Sequence, residues 1–76
     1  MEERVKQVMG KVFGVPPEQI GEASSPDTIK QWDSLRHMNL VLALEQEFGV
    51  TVKDEDVPTL ISYPLIMLTL RELNAR

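Results

Sequence analysis

The sequence predicts an all-α fold: a small four-helix bundle of three principal helices and a short third helix, with a long loop between helices one and two. Three observations carry this prediction. Apolar residues recur at helical spacing in residues 2–13, in residues 34–48 and again beyond Ser62. Glycines and prolines fall where those patterns stop. Only one segment reads as extended, where Val50 and Val52 alternate with Thr51.

In the first helix Val5, Val8, Met9, Val12 and Phe13 follow the i, i+3, i+4, i+7, i+8 rule, with Arg4, Lys6, Gln7 and Lys11 on the wet face. Gly14 ends it in a left-handed conformation, and Pro16-Pro17 prevents continuation. Residues 15–32 then form the long loop, which Ile20 and Ile29 pin to the core and in which Pro17–Ile20 forms one helical turn.

Asp33 is the N-cap of the second helix and Ser34 its first residue. At about 100° per residue, His37, Leu40, Val41, Leu44 and Phe48 share one arc of roughly 100°, the width of a core stripe. Leu35, Met38 and Leu42 form a second apolar ridge on the opposite side, and Ser34 lies between the two faces. One helix in so small a bundle has one face to bury. The second ridge, rimmed by charge, therefore predicts a surface that meets partners.

Gly49 closes this helix, and Val50 and Val52 lead an extended segment back to the core. Asp54, Glu55 and Asp56 read as the cap and first turn of the short helix, with Pro58 early in it. The same cluster lacks the glycine and spaced ligands of a calcium loop, and no metal site is expected. Ser62 caps the last helix, Pro64 sits in its first turn, and Ile66, Met67, Leu70 and Leu73 form its core stripe. Leu65 and Leu68 are expected to broaden that stripe, and Arg71 and Arg76 complement the helix C-terminus.

Composition bounds the function. Seventy-six residues make one domain, residues 1–76, near the size at which a single core can still hold a fold. With no cysteine and one histidine, neither disulfides nor a thiolate or His-rich metal centre is available. The net charge is -4, and residues 14–33 hold Glu18, Glu22, Asp27 and Asp33 against Lys30, which disfavours nucleic acid as a partner. The longest apolar run, Leu40–Leu44, is too short to cross a bilayer, and the charged first helix is unlike a signal peptide. A monomeric cytoplasmic protein is expected, with no membrane insertion.

Ser34 is the candidate reactive residue. It stands at a helix N-terminus, where the macrodipole and unpaired amides favour a phosphate. His37 lies one turn on but projects onto the core arc, and no oxyanion-hole glycine pattern accompanies it, so nucleophilic catalysis is disfavoured.

Asp33-Ser34-Leu35, followed by an apolar-rich helix ending Leu44-Glu45-Gln46-Glu47-Phe48-Gly49-Val50, resembles the acyl carrier proteins and their relatives. The resemblance spans nearly the whole chain. It implies a non-catalytic carrier whose Ser34 receives a 4'-phosphopantetheine arm from coenzyme A through a phosphopantetheinyl transferase, with Asp33 and Leu35 completing the attachment motif. Acyl or related cargo rides on the arm's thiol to acyl-loading, synthase or transferase enzymes. Trp32, Leu35, Arg36, Met38, Asn39, Leu42, Glu45 and Glu47 are the expected recognition residues, with Trp32 equally readable as a clamp sealing the loop. His37, Val41, Leu44, Val57, Leu60 and Ile66 are expected to line a cavity for the acyl chain. Housekeeping carriers of fatty-acid synthesis usually have small residues before this motif and acids after it, whereas here Trp32 precedes it and Arg36, His37 and Asn39 follow. The WDSL form is similar to that of specialised carriers in polyketide, modified-lipid or surface-polysaccharide pathways. The alternative is an unmodified helical module that binds a partner through Leu35, Met38 and Leu42.

Overall fold

A computed structural model of the chain describes residues 1–74, so the expectation for Arg76 lies outside the described residues. Helix α1 (Glu2–Phe13) buries Val5, Met9, Gly10 and Phe13. Gly14 ends it at φ 71°, a left-handed turn that suits a residue without Cβ. The Gly10 carbonyl accepts both the Gly14 N–H at 2.8 Å and the Val15 N–H at 3.0 Å, which turns the chain back across the helix. Gly10 is required by that return, because a Cβ there would lie 2.7 Å from the Val15 carbonyl oxygen.

The long connection to α2 is ordered by burial and by side-chain bonds. It contains one 3-10 turn, Pro17–Gln19, and buries Ile20, Ile29 and Trp32. Ser24 is also buried; its hydroxyl accepts the Gly21 N–H at 2.9 Å, and its carbonyl accepts the Tyr63 N–H at 3.1 Å. That last bond ties the loop to the start of the final helix, 39 residues away along the chain (63 minus 24).

Helix α2 (Ser34–Phe48) buries Leu40, Val41 and Leu44 and ends at Gly49, φ 64°. Phe48 and His37 are half-buried rather than buried, at the edges of the predicted arc. Arg4 of α1 clasps its far end: the guanidinium lies 4.9 Å over the Phe48 ring and reaches Glu47 Oε2 at 2.7 Å. No strand forms among the described residues, and Val52 in the extended segment after Gly49 is buried.

The predicted short third helix is not an α-helix. Asp54–Asp56 form a turn that leads into a single 3-10 turn, Val57–Thr59. The chain leaves helical geometry at Leu60, at φ -84° and ψ 55°, where the Leu60 side chain turns into the core. No Asp side chain caps the turn. The described fold is therefore three α-helices with two short 3-10 turns.

Helix α3 (Tyr63–Asn74) starts where the Ser62 hydroxyl accepts the Leu65 N–H at 3.3 Å. It buries Tyr63, Ile66, Met67 and Leu70, and Leu73 packs against them. Leu65 and Leu68 do not broaden this stripe; they are 41% and 54% exposed, on a face that no fourth helix covers. One continuous core joins all three helices and the long loop.

Candidate functional site

The N-terminus of α2 is built around Asp33. Its backbone is extended (φ -104°, ψ -178°), which sets the side chain across the helix end. Oδ1 accepts the Arg36 N–H at 2.8 Å, and the Asp33 carbonyl accepts the His37 N–H at 2.8 Å. Oδ2 is 3.2 Å from Arg36 Nη1, an exposed pair one turn apart. Both carboxylate oxygens are thus occupied within the helix end itself. Ser34 follows as the first helical residue with an exposed side chain. The backbone amides of the first turn that no carbonyl precedes point out along the axis beside it.

Beside Ser34 runs the predicted ridge, and it is open to solvent: Leu35 is 72% exposed, Met38 48% and Leu42 54%. Arg36 and Asn39 of the same helix are exposed as well. The two downstream acids face elsewhere. Glu45 is half-buried, and its Oε2 accepts the Val52 N–H at 2.8 Å, pinning the segment after the helix. Glu47 takes two bonds from Arg4 of α1, at 2.9 Å from Nε and 2.7 Å from Nη2, while the Glu47 carbonyl accepts a third at 2.9 Å. The exposed ridge is therefore apolar, with Arg36 and Asp33 as a self-paired couple at its start.

Trp32 is 6% exposed, which sets it among the core residues rather than on the surface. Its ring packs 4.9 Å from the Phe13 centroid and 6.2 Å from that of His37. The indole N–H donates to His37 Nδ1 at 3.0 Å. Since an indole can only donate, Nδ1 must be the unprotonated nitrogen, and Nε2 carries the proton. Nε2–H then donates to the Val57 carbonyl at 2.7 Å. This relay joins the loop before Ser34, the helix and the 3-10 turn, and among the described residues no buried side-chain nitrogen or oxygen is without a partner.

Of the six expected acyl-chain residues, Val41, Leu44, Leu60 and Ile66 are each at most 3% exposed and pack in the core, while His37 and Val57 are half-buried at its edge. The structure thus brings them together as a closed cluster. The two described surface grooves lie elsewhere, one between α1 and α2 near Arg4, Lys11 and Gln46, the other under the long loop near Ser24 and Gln31.

Among the described residues no three carboxylate, imidazole or thiol groups converge to hold a metal ion. No helix among the described residues is long and apolar enough to cross a membrane. Sequence reasoning missed Arg4, whose partner is 43 residues away, and the Tyr63 hydroxyl, which donates to Glu2 Oε1 at 3.3 Å. Burial pushes the Tyr63 phenol above its ordinary value of 10.0, and the Glu2 charge and hydrogen bond add to that, with Arg71 opposing.

A phosphodiester fits this N-terminus: Ser34 is exposed, axial amides lie beside it, and the Asp33 carboxylate is already paired with Arg36. Comparison with known proteins adds two findings. A family model described as a phosphopantetheine attachment site matches residues 3–62. An acyl carrier protein of Afipia carboxidovorans is 37% identical over 60 residues, 79% of this chain and 76% of that protein.

Proposed function

This chain belongs to the phosphopantetheine-attachment family, as a non-catalytic acyl carrier with a covalent 4'-phosphopantetheine, and from that premise we propose that Ser34 takes the arm. The observation that carries this reading is the exposed serine at the first position of α2, capped by Asp33 and flanked by an open apolar ridge. Arm transfer forms the Ser34 Oγ–phosphorus bond as the pyrophosphate bond of coenzyme A breaks, with adenosine 3',5'-bisphosphate as the leaving group and the serine proton leaving to the transferase. The attached arm supplies a thiol that carries cargo as a thioester, which a chain without cysteine does not supply itself.

The residues of this chain divide the remaining work. Asp33 fixes the helix start from which Ser34 projects. Leu35, Met38 and Leu42 dock partners transiently, and tethering raises the effective concentration of cargo at each partner's site. Arg36 and Asn39 tune which partner fits. Trp32 acts from within the core, by holding the loop, and Glu45 and Glu47 act by fixing what surrounds the helix end rather than by meeting partners. Val41, Leu44, Leu60 and Ile66, behind His37 and Val57, take up the acyl chain between visits.

The carrier serves a specialised lipid or polyketide-type pathway, in the cytoplasm and as a monomer. Support comes from the acids of α2 and its cap, which are engaged within the chain, Asp33 by Arg36, Glu47 by Arg4 and Glu45 by the Val52 N–H, so a partner meets the apolar ridge and Arg36 rather than an acidic surface. Incubation with coenzyme A, magnesium and a broad-specificity phosphopantetheinyl transferase tests the reading. Wild-type protein gains the mass of one phosphopantetheine group and Ser34→Ala gains none; an unmodified wild type leaves only the interaction module.

A further inference from the structure

Residues 50–62, between α2 and α3, contain one 3-10 turn and no longer element. Two α2 side chains hold this segment's backbone from across the gap. Glu45 Oε2 accepts the Val52 N–H at 2.8 Å, and His37 Nε2–H donates to the Val57 carbonyl at 2.7 Å. Behind the segment lie Val41, Leu44 and Ile66, joined by the segment's own Leu60, none more than 3% exposed, so the core there is shut. The His37 bond sits at the end of the segment nearer Ser34, since His37 is three residues from Ser34 on the same helix. An apolar chain carried at Ser34 that turns back along α2 into this core meets the His37–Val57 bond first.

We propose that His37 is a gate pin that sets which acyl chains are sheltered: the Trp32–His37–Val57 relay holds the segment shut, and only a chain long enough to fill the core displaces it. The inference rests on the proposed attachment at Ser34 and on the proposed acyl site. The relay is suited to such a role because His37 is its single shared member, with one nitrogen bonded to each side. Moving the imidazole away from Val57 also disturbs its bond to the indole, so an opening at the 3-10 turn is felt at Trp32. The protein's single tryptophan is therefore a built-in reporter.

The test loads wild type, His37→Phe and His37→Gln with acetyl or octanoyl arms from the corresponding acyl coenzyme A and a broad-specificity transferase. It reads Trp32 emission and the rate at which hydroxylamine cleaves each thioester. Phenylalanine keeps the ring volume and removes both bonds; glutamine can restore an acceptor and a donor. Losing the pin favours the open form by about the worth of one hydrogen bond, so the octanoyl thioester of His37→Phe is protected roughly fivefold more than that of wild type. The acetyl thioesters react alike in all three proteins, and His37→Gln returns towards wild type. Equal octanoyl protection in wild type and His37→Phe overturns the proposal. So does octanoyl protection in wild type with Trp32 emission unchanged from the acetyl form, a comparison that holds even where His37→Phe fails to fold. Failure to load wild type at all refutes the carrier reading instead.

Discussion

Replacing Asp33 separates the two things its carboxylate does. Oδ1 caps the helix by accepting the Arg36 N–H at 2.8 Å, and Oδ2 pairs with the Arg36 guanidinium at 3.2 Å. Loss of an N-cap acceptor costs about 1 kcal/mol. Loss of the negative charge beside the helix dipole costs about 0.5 kcal/mol at an exposed site. The ion pair itself adds little, a few tenths at most, because both side chains are about half exposed (45% and 55%) and screened by solvent. Asp33→Ala should therefore lose about 1.5 kcal/mol, which in a domain of this size lowers the melting temperature by about 10 °C. Asp33→Asn keeps an oxygen in place and should lose only the charge terms, about a third of that. Arg36→Ala should be nearly neutral. Thermal unfolding followed by circular dichroism reads all three. If Asp33→Asn falls as far as Asp33→Ala, the side chain acts by charge and not as a cap, and the account of how Ser34 is positioned fails.

Other residues give sharper signs. Gly10→Ala should destabilise by about 1–2 kcal/mol although alanine is the better helix former, because the contact at 2.7 Å with a backbone oxygen outweighs the roughly 1 kcal/mol of propensity; a raised melting temperature refutes this. Glu45→Ala should lose about 1 kcal/mol and speed hydrogen exchange at the Val52 amide, whereas Glu45→Gln, which keeps an acceptor, should leave that amide protected. Tyr63 has its phenol raised above 10.0, so the folded chain holds that proton more tightly than the unfolded one. Its contribution is fully present below pH 10 and is lost as pH rises through the folded value, so wild type should lose stability there faster than Tyr63→Phe in paired alkaline melts.

Much of this was legible because it is local. The spacing of Val5, Met9 and Phe13 and the glycine at 14 set α1, and Asp33 before an apolar-rich run set α2, at the ends the structure shows. The helical period put Leu35, Met38 and Leu42 on the face opposite the core, and their exposure followed from a bundle so small that one helix has one face to bury. Asp54–Asp56 misled because an acidic run before a proline reads as a helix start, whereas the chain leaves helical geometry at the buried Leu60. Leu65 and Leu68 misled for a related reason: periodicity gives the face of a residue but not whether another helix lies against it. The Arg4–Glu47 clasp, the Ser24–Tyr63 bond and the Trp32–His37–Val57 relay join residues that only the tertiary fold brings together. Gly10 did leave a trace, a glycine inside an otherwise regular helix, which marks a close backbone approach.

The most direct measurement is to localise the arm by fragmenting the protein after reaction with coenzyme A and transferase. Chain fragmentation that retains the phosphodiester should place one phosphopantetheine on Ser34 and on no other residue. An arm found on Ser24, Ser25 or Ser62, or a chain that stays unmodified, contradicts the account.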